Sequence, residues 1–122
     1  MNTESVVCEK KVDLNELARK MLEAAEMRKR NGANVDTDTI KMLKHCATEV
    51  VEATEAFTVI RCLANSEPYN ALDYYEDFYS ELADIMSCVL IICAKDGIDI
   101  NDALQKCYRR NLARAEGKGE KK

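Results

Sequence analysis

The sequence has few residues that interrupt a helix and no cysteine spacing typical of a zinc site. Its 122 residues include one proline and four glycines, so most of the chain can continue in helical conformation. Six cysteines are present, but no two form a C-x-x-C pair, and they fall in helical, apolar contexts. We therefore expect buried free thiols, and neither a zinc site nor a disulfide framework.

Long apolar runs, a signal-peptide pattern and an excess of positive charge are also missing. The longest apolar run, 85–94, is about half the ~20 residues that a membrane span requires. Residues 1–5 lack the basic and apolar regions of a secretory signal. The net charge of −4 argues against a general nucleic-acid binder. These absences predict a cytoplasmic protein that binds neither a membrane nor a nucleic-acid polymer.

The residues that are abundant predict a single all-α domain. Hydrophobic residues make up 47% of the chain, enough for one packed core at this length. We expect a flexible N-terminal arm at 1–12, an all-α domain at 13–115 and a disordered C-terminal tail at 116–122. Apolar residues at helical spacing and capping signals predict a bundle of four main helices. The predicted helices run from Asp13 to Gly32, from 36–39 to about Asn65, from about Asp73 to Lys95, and from Asp99 or Asn101 onward.

Two pairs of acidic residues stand at helical spacing in the second and third predicted helices. Glu49 and Glu52 are three residues apart, as are Glu81 and Asp84, so each pair shares one helix face. An isolated pair of this kind is more often the solvated edge of an amphipathic helix. Two such pairs in one small helical protein suggest a shared cation, because converging carboxylates repel one another without one.

The chemistry of such a cluster follows from its ligand type. Carboxylate oxygens are the ligands that Mg²⁺ and Mn²⁺ prefer, and Mg²⁺ leaves positions for water and phosphate. An ion held in this way bridges phosphate oxygens and lowers the pKa of a bound water. The four carboxylates therefore indicate hydrolysis of a phosphoanhydride.

The order E-x-x-E, then E-x-x-D, resembles the MazG-like all-α nucleoside triphosphate pyrophosphohydrolases over about 40–114. Enzymes of that family cleave nucleoside triphosphates to monophosphates and pyrophosphate. The resemblance implies the same activity here, including housecleaning of non-standard or surplus nucleotides. It implies Mg²⁺ as the cofactor, with Mn²⁺ as a substitute. The metal ligands it implies are Glu49, Glu52, Glu81 and Asp84.

Further candidate residues flank these ligands. Glu52 and Glu55 are the candidate catalytic residues, and Glu55 is either a general base or a solvent-facing glutamate. The final helix resembles the family's closing K-M-x-x-N-x-x-R pattern at Asn111 and Arg114, but Cys107 and Tyr108 stand in the Lys-Met places. The basic residues of this helix either bind phosphate or complement the helix dipole. The candidate substrate-binding residues are Lys106, Arg110, Asn111 and Arg114.

Two other functions and the assembly state complete the expectations. A catalytically degenerate helical module that serves in binding or regulation is the alternative to the enzyme. A di-iron carboxylate bundle needs paired E-x-x-H motifs. His45 is the only histidine, so the sequence argues against this function. The second helix is apolar on more than one side, which predicts a homo-oligomer, either a dimer or a tetramer.

Overall fold

A computed structural model describes residues 11–63 and 71–118, and for 71–72 it describes the backbone alone. Within these residues the chain forms four α-helices and no β-strand, which confirms the predicted all-α class. Most of the predicted arm and tail, and the predicted interruption at 66–70, lie outside the described residues. The helices are α1 (Leu14–Arg30), α2 (Thr39–Leu63), α3 (Ala71–Asp96) and α4 (Ile100–Ala115).

Helix boundaries follow from capping residues that the sequence predicts. The Asp13 carboxylate accepts hydrogen bonds from the backbone N–H groups of Asn15 and Glu16 at the start of α1. Gly32 follows this helix with a φ of +94°, a left-handed conformation that glycine adopts without strain. Of the two candidates for the last N-cap, Asp99 is the correct one, because its side chain accepts the N–H of Asp102.

The helices are packed unevenly around α3. This helix packs along α2 and α1, whereas α4 contacts chiefly α1. Two buried clusters form the core, one joining α1, α3 and α4 and the other joining α1, α2 and α3. The clusters consist of Ala18, Leu90, Cys93 and Ile100, and of Ala25, Met42, Cys88 and Ile91.

A buried polar contact positions the segment 31–38 between α1 and α2. The Thr37 side chain is 2% exposed, and its hydroxyl donates a 2.7 Å hydrogen bond to Glu26 Oε1 on α1. Lys95 Nζ on α3 donates to the same hydroxyl at 3.4 Å. Because three separate parts of the chain meet at Thr37, this segment is fixed against the helices whose side chains line the cavity described below.

The predicted burial of the cysteines is correct in part. The five described cysteines form no disulfide, as predicted. Cys88 and Cys93 are buried, but Cys62 is exposed, so the expectation of burial is wrong for that residue. Ile60, two residues earlier on the same helix, is 2% exposed, so Cys62 is exposed because it lies on a different face of α2 from Ile60.

Large apolar side chains are exposed on α2, α3 and α4. On α4 they include Leu104, Tyr108 and Leu112, which follow one another at helical spacing. None of the four helices in the described part of the chain combines the length and apolar character needed to cross a membrane. On α2 and α3 the exposed apolar residues include Leu43, Val50, Val51, Leu82, Met86 and Val89.

Candidate metal centre

Three carboxylates meet where α2 packs against α3. Glu49, Glu52 and Glu81 each offer one oxygen, and these three oxygens lie within 4.8 Å of one another. Two oxygens that bind one ion at about 2.1 Å are at most about 4.2 Å apart, so small side-chain rotations would complete such a site. Three of the four carboxylates that the sequence pairs are therefore brought together by the fold.

Burial differs among the three carboxylates. Glu49 is 8% exposed, Glu81 is half-buried and Glu52 is exposed. Burial raises the pKa of Glu49, and the neighbouring Glu52 charge raises it further. The pKa of Glu81 is likewise raised, first by burial and then by the charge of Glu52. For Glu49 and Glu81, burial and neighbouring negative charge thus outweigh the contacts that stabilise the ionised carboxylates.

One oxygen of Glu81 has no hydrogen-bond partner. Its Oε2 atom is buried, yet no donor in the described part of the chain reaches it. A buried carboxylate oxygen without a donor is costly, and a bound cation is one partner that would satisfy it. The lack of a donor for this oxygen is an observation independent of the clustering of the three acids.

Asp84 lies beside this cluster and not within it. Its side chain is exposed, although apolar residues follow it in the sequence. Its charge raises the pKa of both Glu49 and Glu81, so it belongs to the same electrostatic site. It also lines a cavity together with Glu49. An ion held by the three clustered glutamates would therefore have Asp84 as a nearby fourth carboxylate.

His45 contacts the buried member of the cluster. Its Nε2 atom lies 3.0 Å from Glu49 Oε1, one helical turn away on α2. This contact fixes the orientation of the Glu49 carboxylate and lowers the pKa of that group, against the larger effect of burial. Glu55 is exposed on α2 and is not one of the three clustered acids.

The predicted substrate-binding residues lie on a different part of the molecule. Lys106, Arg110, Asn111 and Arg114 are exposed on α4, which contacts chiefly α1. Lys106 forms a 2.9 Å ion pair with Asp102 on its own helix. None of the four lines the cavity beside the carboxylates. Within one chain, the fold does not bring them to the cluster.

A cavity of about 460 Å³ adjoins the carboxylates, between α1, α2, α3 and the segment 31–38. Its lining includes the carboxylates of Asp36, Glu49 and Asp84. Arg28 and Lys41 also line it, and sequence reasoning assigned neither of them to a site. The sequence feature that could have indicated Arg28 is its spacing. It lies three residues after the buried Ala25, at the edge of the inner face of α1.

Comparison of the chain with protein-family models, with curated proteins and with solved structures found no match. The functional proposal therefore depends on the clustered carboxylates, the cavity beside them and the motif resemblance.

Proposed function

We propose that this protein is a Mg²⁺-dependent nucleoside triphosphate pyrophosphohydrolase, which forms a nucleoside monophosphate and pyrophosphate. The observation that carries the proposal is the clustering of Glu49, Glu52 and Glu81 oxygens within 4.8 Å. Hard, anionic oxygen ligands favour Mg²⁺ or Mn²⁺ over softer metals. The partnerless Glu81 Oε2 supports the same assignment, because it has an open lone pair at the cluster.

The residues of the site would have two roles, which are to bind the metal ion and to accept a proton, and Glu52 would have both. Glu49, Glu52, Glu81 and Asp84 would hold the ion, which when bound would polarise the phosphates and lower the pKa of a water. The His45 contact keeps the Glu49 carboxylate in one orientation. Glu52, which is exposed and belongs to the cluster, would in addition accept a proton from the attacking water. Glu55, which is exposed and outside the cluster, is the second candidate base.

We also propose that the protein acts as a homo-oligomer. Exposed Val50 and Val51 on α2 and Leu82, Met86 and Val89 on α3 provide more apolar surface than isolated side chains would. Burial of this surface between copies would remove it from water. In an oligomer, the exposed α4 residues of one copy could also lie near the carboxylate cluster of another copy.

Hydrolysis assays with a panel of NTPs and dNTPs test the activity. Each nucleotide is incubated with the full chain and Mg²⁺ or Mn²⁺, and pyrophosphate is measured separately from orthophosphate. Glu81→Gln removes one cluster charge, and Glu76→Gln, at an exposed position on the same helix, is its matched control. We expect pyrophosphate from the parent and from Glu76→Gln, and a loss of about 100-fold or more in Glu81→Gln.

The product decides between the two candidate functions. Orthophosphate as the first product would refute cleavage between the α and β phosphates. If the parent hydrolyses none of the nucleotides with either metal, the binding or regulatory module replaces the enzyme as the proposed function.

A further inference from the structure

The cavity beside the carboxylates has charges of opposite sign on its lining. Glu49 of the cluster and its neighbour Asp84 line the cavity together with Asp36, while Arg28 from α1 and Lys41 from α2 contribute cations. Its volume of about 460 Å³ falls in the range of about 300–1,000 Å³ typical of ligand sites. Such a lining suits an anionic ligand that contacts both a metal ion at the carboxylate cluster and a cationic side chain of the cavity.

The two cations of the cavity differ in their partners. Lys41 Nζ already contacts Asp36 Oδ2 at 2.9 Å, and this hydrogen bond raises the pKa of the lysine. The Arg28 guanidinium forms no ion pair or hydrogen bond with the described part of the chain. Its five donors in a planar fork match the oxygens of a phosphate, which Arg binds in bidentate fashion.

The other lining residues favour a phosphate group over a nucleobase. Among the residues that the structure describes, no phenylalanine or tyrosine lines the cavity, and the imidazole of His45 is its one aromatic ring. The polar groups of Asn34 and Ser87 add hydrogen-bonding capacity to the lining. In contrast, the four α4 residues first considered for phosphate binding do not reach this cavity within one chain.

We infer that Arg28 binds the substrate's phosphate oxygens that face away from the carboxylates, so that the departing pyrophosphate occupies this cavity. The inference rests on the proposed function for the identity of the anion. Lys41 also lines the cavity, but its charge is balanced by Asp36, so Arg28 is the cation left for the ligand. Arg28 is therefore a substrate-binding residue, and it also stabilises the charge of the leaving group.

Calorimetric titration of the full chain with pyrophosphate, in the presence of Mg²⁺, tests this assignment. Arg28→Ala removes the guanidinium, Arg28→Lys keeps the charge without the fork, and Arg30→Ala is the control. Arg30 lies on the same helix, is exposed and does not line the cavity. A charge-assisted hydrogen bond at a solvent-accessible site is worth about a tenfold change in affinity.

We expect pyrophosphate binding to weaken about tenfold in Arg28→Ala, to recover in part in Arg28→Lys, and to stay at the parent value in Arg30→Ala. Failure of the parent to bind pyrophosphate would overturn the inference. Equal weakening in Arg28→Ala and Arg30→Ala would also overturn it, because the effect would then be one of net charge.

The hydrolysis assay separates this inference from the proposed function. If the protein hydrolyses no nucleotide but binds pyrophosphate through Arg28, the proposed enzymatic activity is refuted and the anion site is established. Hydrolysis by the parent, combined with pyrophosphate affinity that does not depend on Arg28, would refute the anion site alone.

Discussion

The most informative perturbation of the site is Glu49→Gln, because it should stabilise the metal-free protein and abolish its response to metal. At 4.8 Å, the outer limit of the spacing between the cluster's oxygens, two unit charges repel by about 1 kcal/mol in bulk water and by about 3.5 kcal/mol at an effective dielectric of about 20. Glu52 is exposed, so we take the lower figure for its repulsion of Glu49. Glutamine keeps the shape and can still accept a hydrogen bond from His45.

A gain of about 1 kcal/mol corresponds to a rise in Tm of about 3–5 °C for a domain of this size. We expect that rise at pH 7 in metal-free Glu49→Gln by differential scanning calorimetry. Mg²⁺ should raise the Tm of the parent, because a ligand that binds only the native state stabilises it. It should not raise the Tm of the variant. Glu76→Gln, an exposed change on α3, controls for net charge and should keep the response to Mg²⁺.

The same reasoning fixes the direction of the pH dependence. The pKa of Glu49 is raised above 4.5 in the folded protein, so the native state retains this proton to higher pH than the unfolded state does. The stability contributed by this group is therefore full below about pH 4.5 and falls as the pH rises through the raised pKa. Glu49→Gln should flatten this fall. A lower metal-free Tm in Glu49→Gln, or an equal rise with Mg²⁺ in parent and variant, would refute the reasoning.

Three further predictions concern Asp84, the assembly and the thiols. Asp84→Asn should reduce metal affinity and turnover while leaving the metal-free protein as stable or more stable, since it removes repulsion from Glu49 and Glu81; unchanged hydrolysis would show that Asp84 has no role. Sedimentation at micromolar concentration should detect a dimer or tetramer, and a monomer alone would contradict the proposed assembly. A maleimide at pH 8 should label exposed Cys62 but not Cys88, because burial raises the Cys88 pKa to about 11; mass spectrometry of labelled peptides decides this.

The helices could be predicted from the sequence because their signals are local. Asp13 and Asp99 cap helices through backbone groups two or three residues away, and such contacts depend on no other part of the chain. The meeting of Glu49 with Glu81 also followed from spacing, since residues three or four apart share a face and α2 precedes α3 directly.

The exposure of Asp84 and the placement of α4 could not be predicted in this way. An apolar run follows Asp84, but Asp84 lies at the edge of the buried face of α3, because Cys88 one helical turn later is buried and Ser80 one turn earlier is exposed. Whether α4 packs near the carboxylates depends on the angle at which the chain leaves α3, which periodicity does not encode. The position of Arg28 at the cavity could not be predicted for the same reason, because the cavity exists only once three helices are assembled.

The way in which α4 is attached determines how fast its backbone amide hydrogens should exchange with solvent. This helix is held at its start, where Asn15 donates to Asp99 Oδ1 at 3.0 Å and accepts the N–H of Ile100 at 2.9 Å. Beyond Ile100, α4 adds no buried side chain. Its amide hydrogens should therefore exchange with deuterium well before those of the central α3, because opening α4 exposes little buried surface. Slow exchange along the whole of α4 would mean that another surface covers Leu104, Tyr108 and Leu112 in solution.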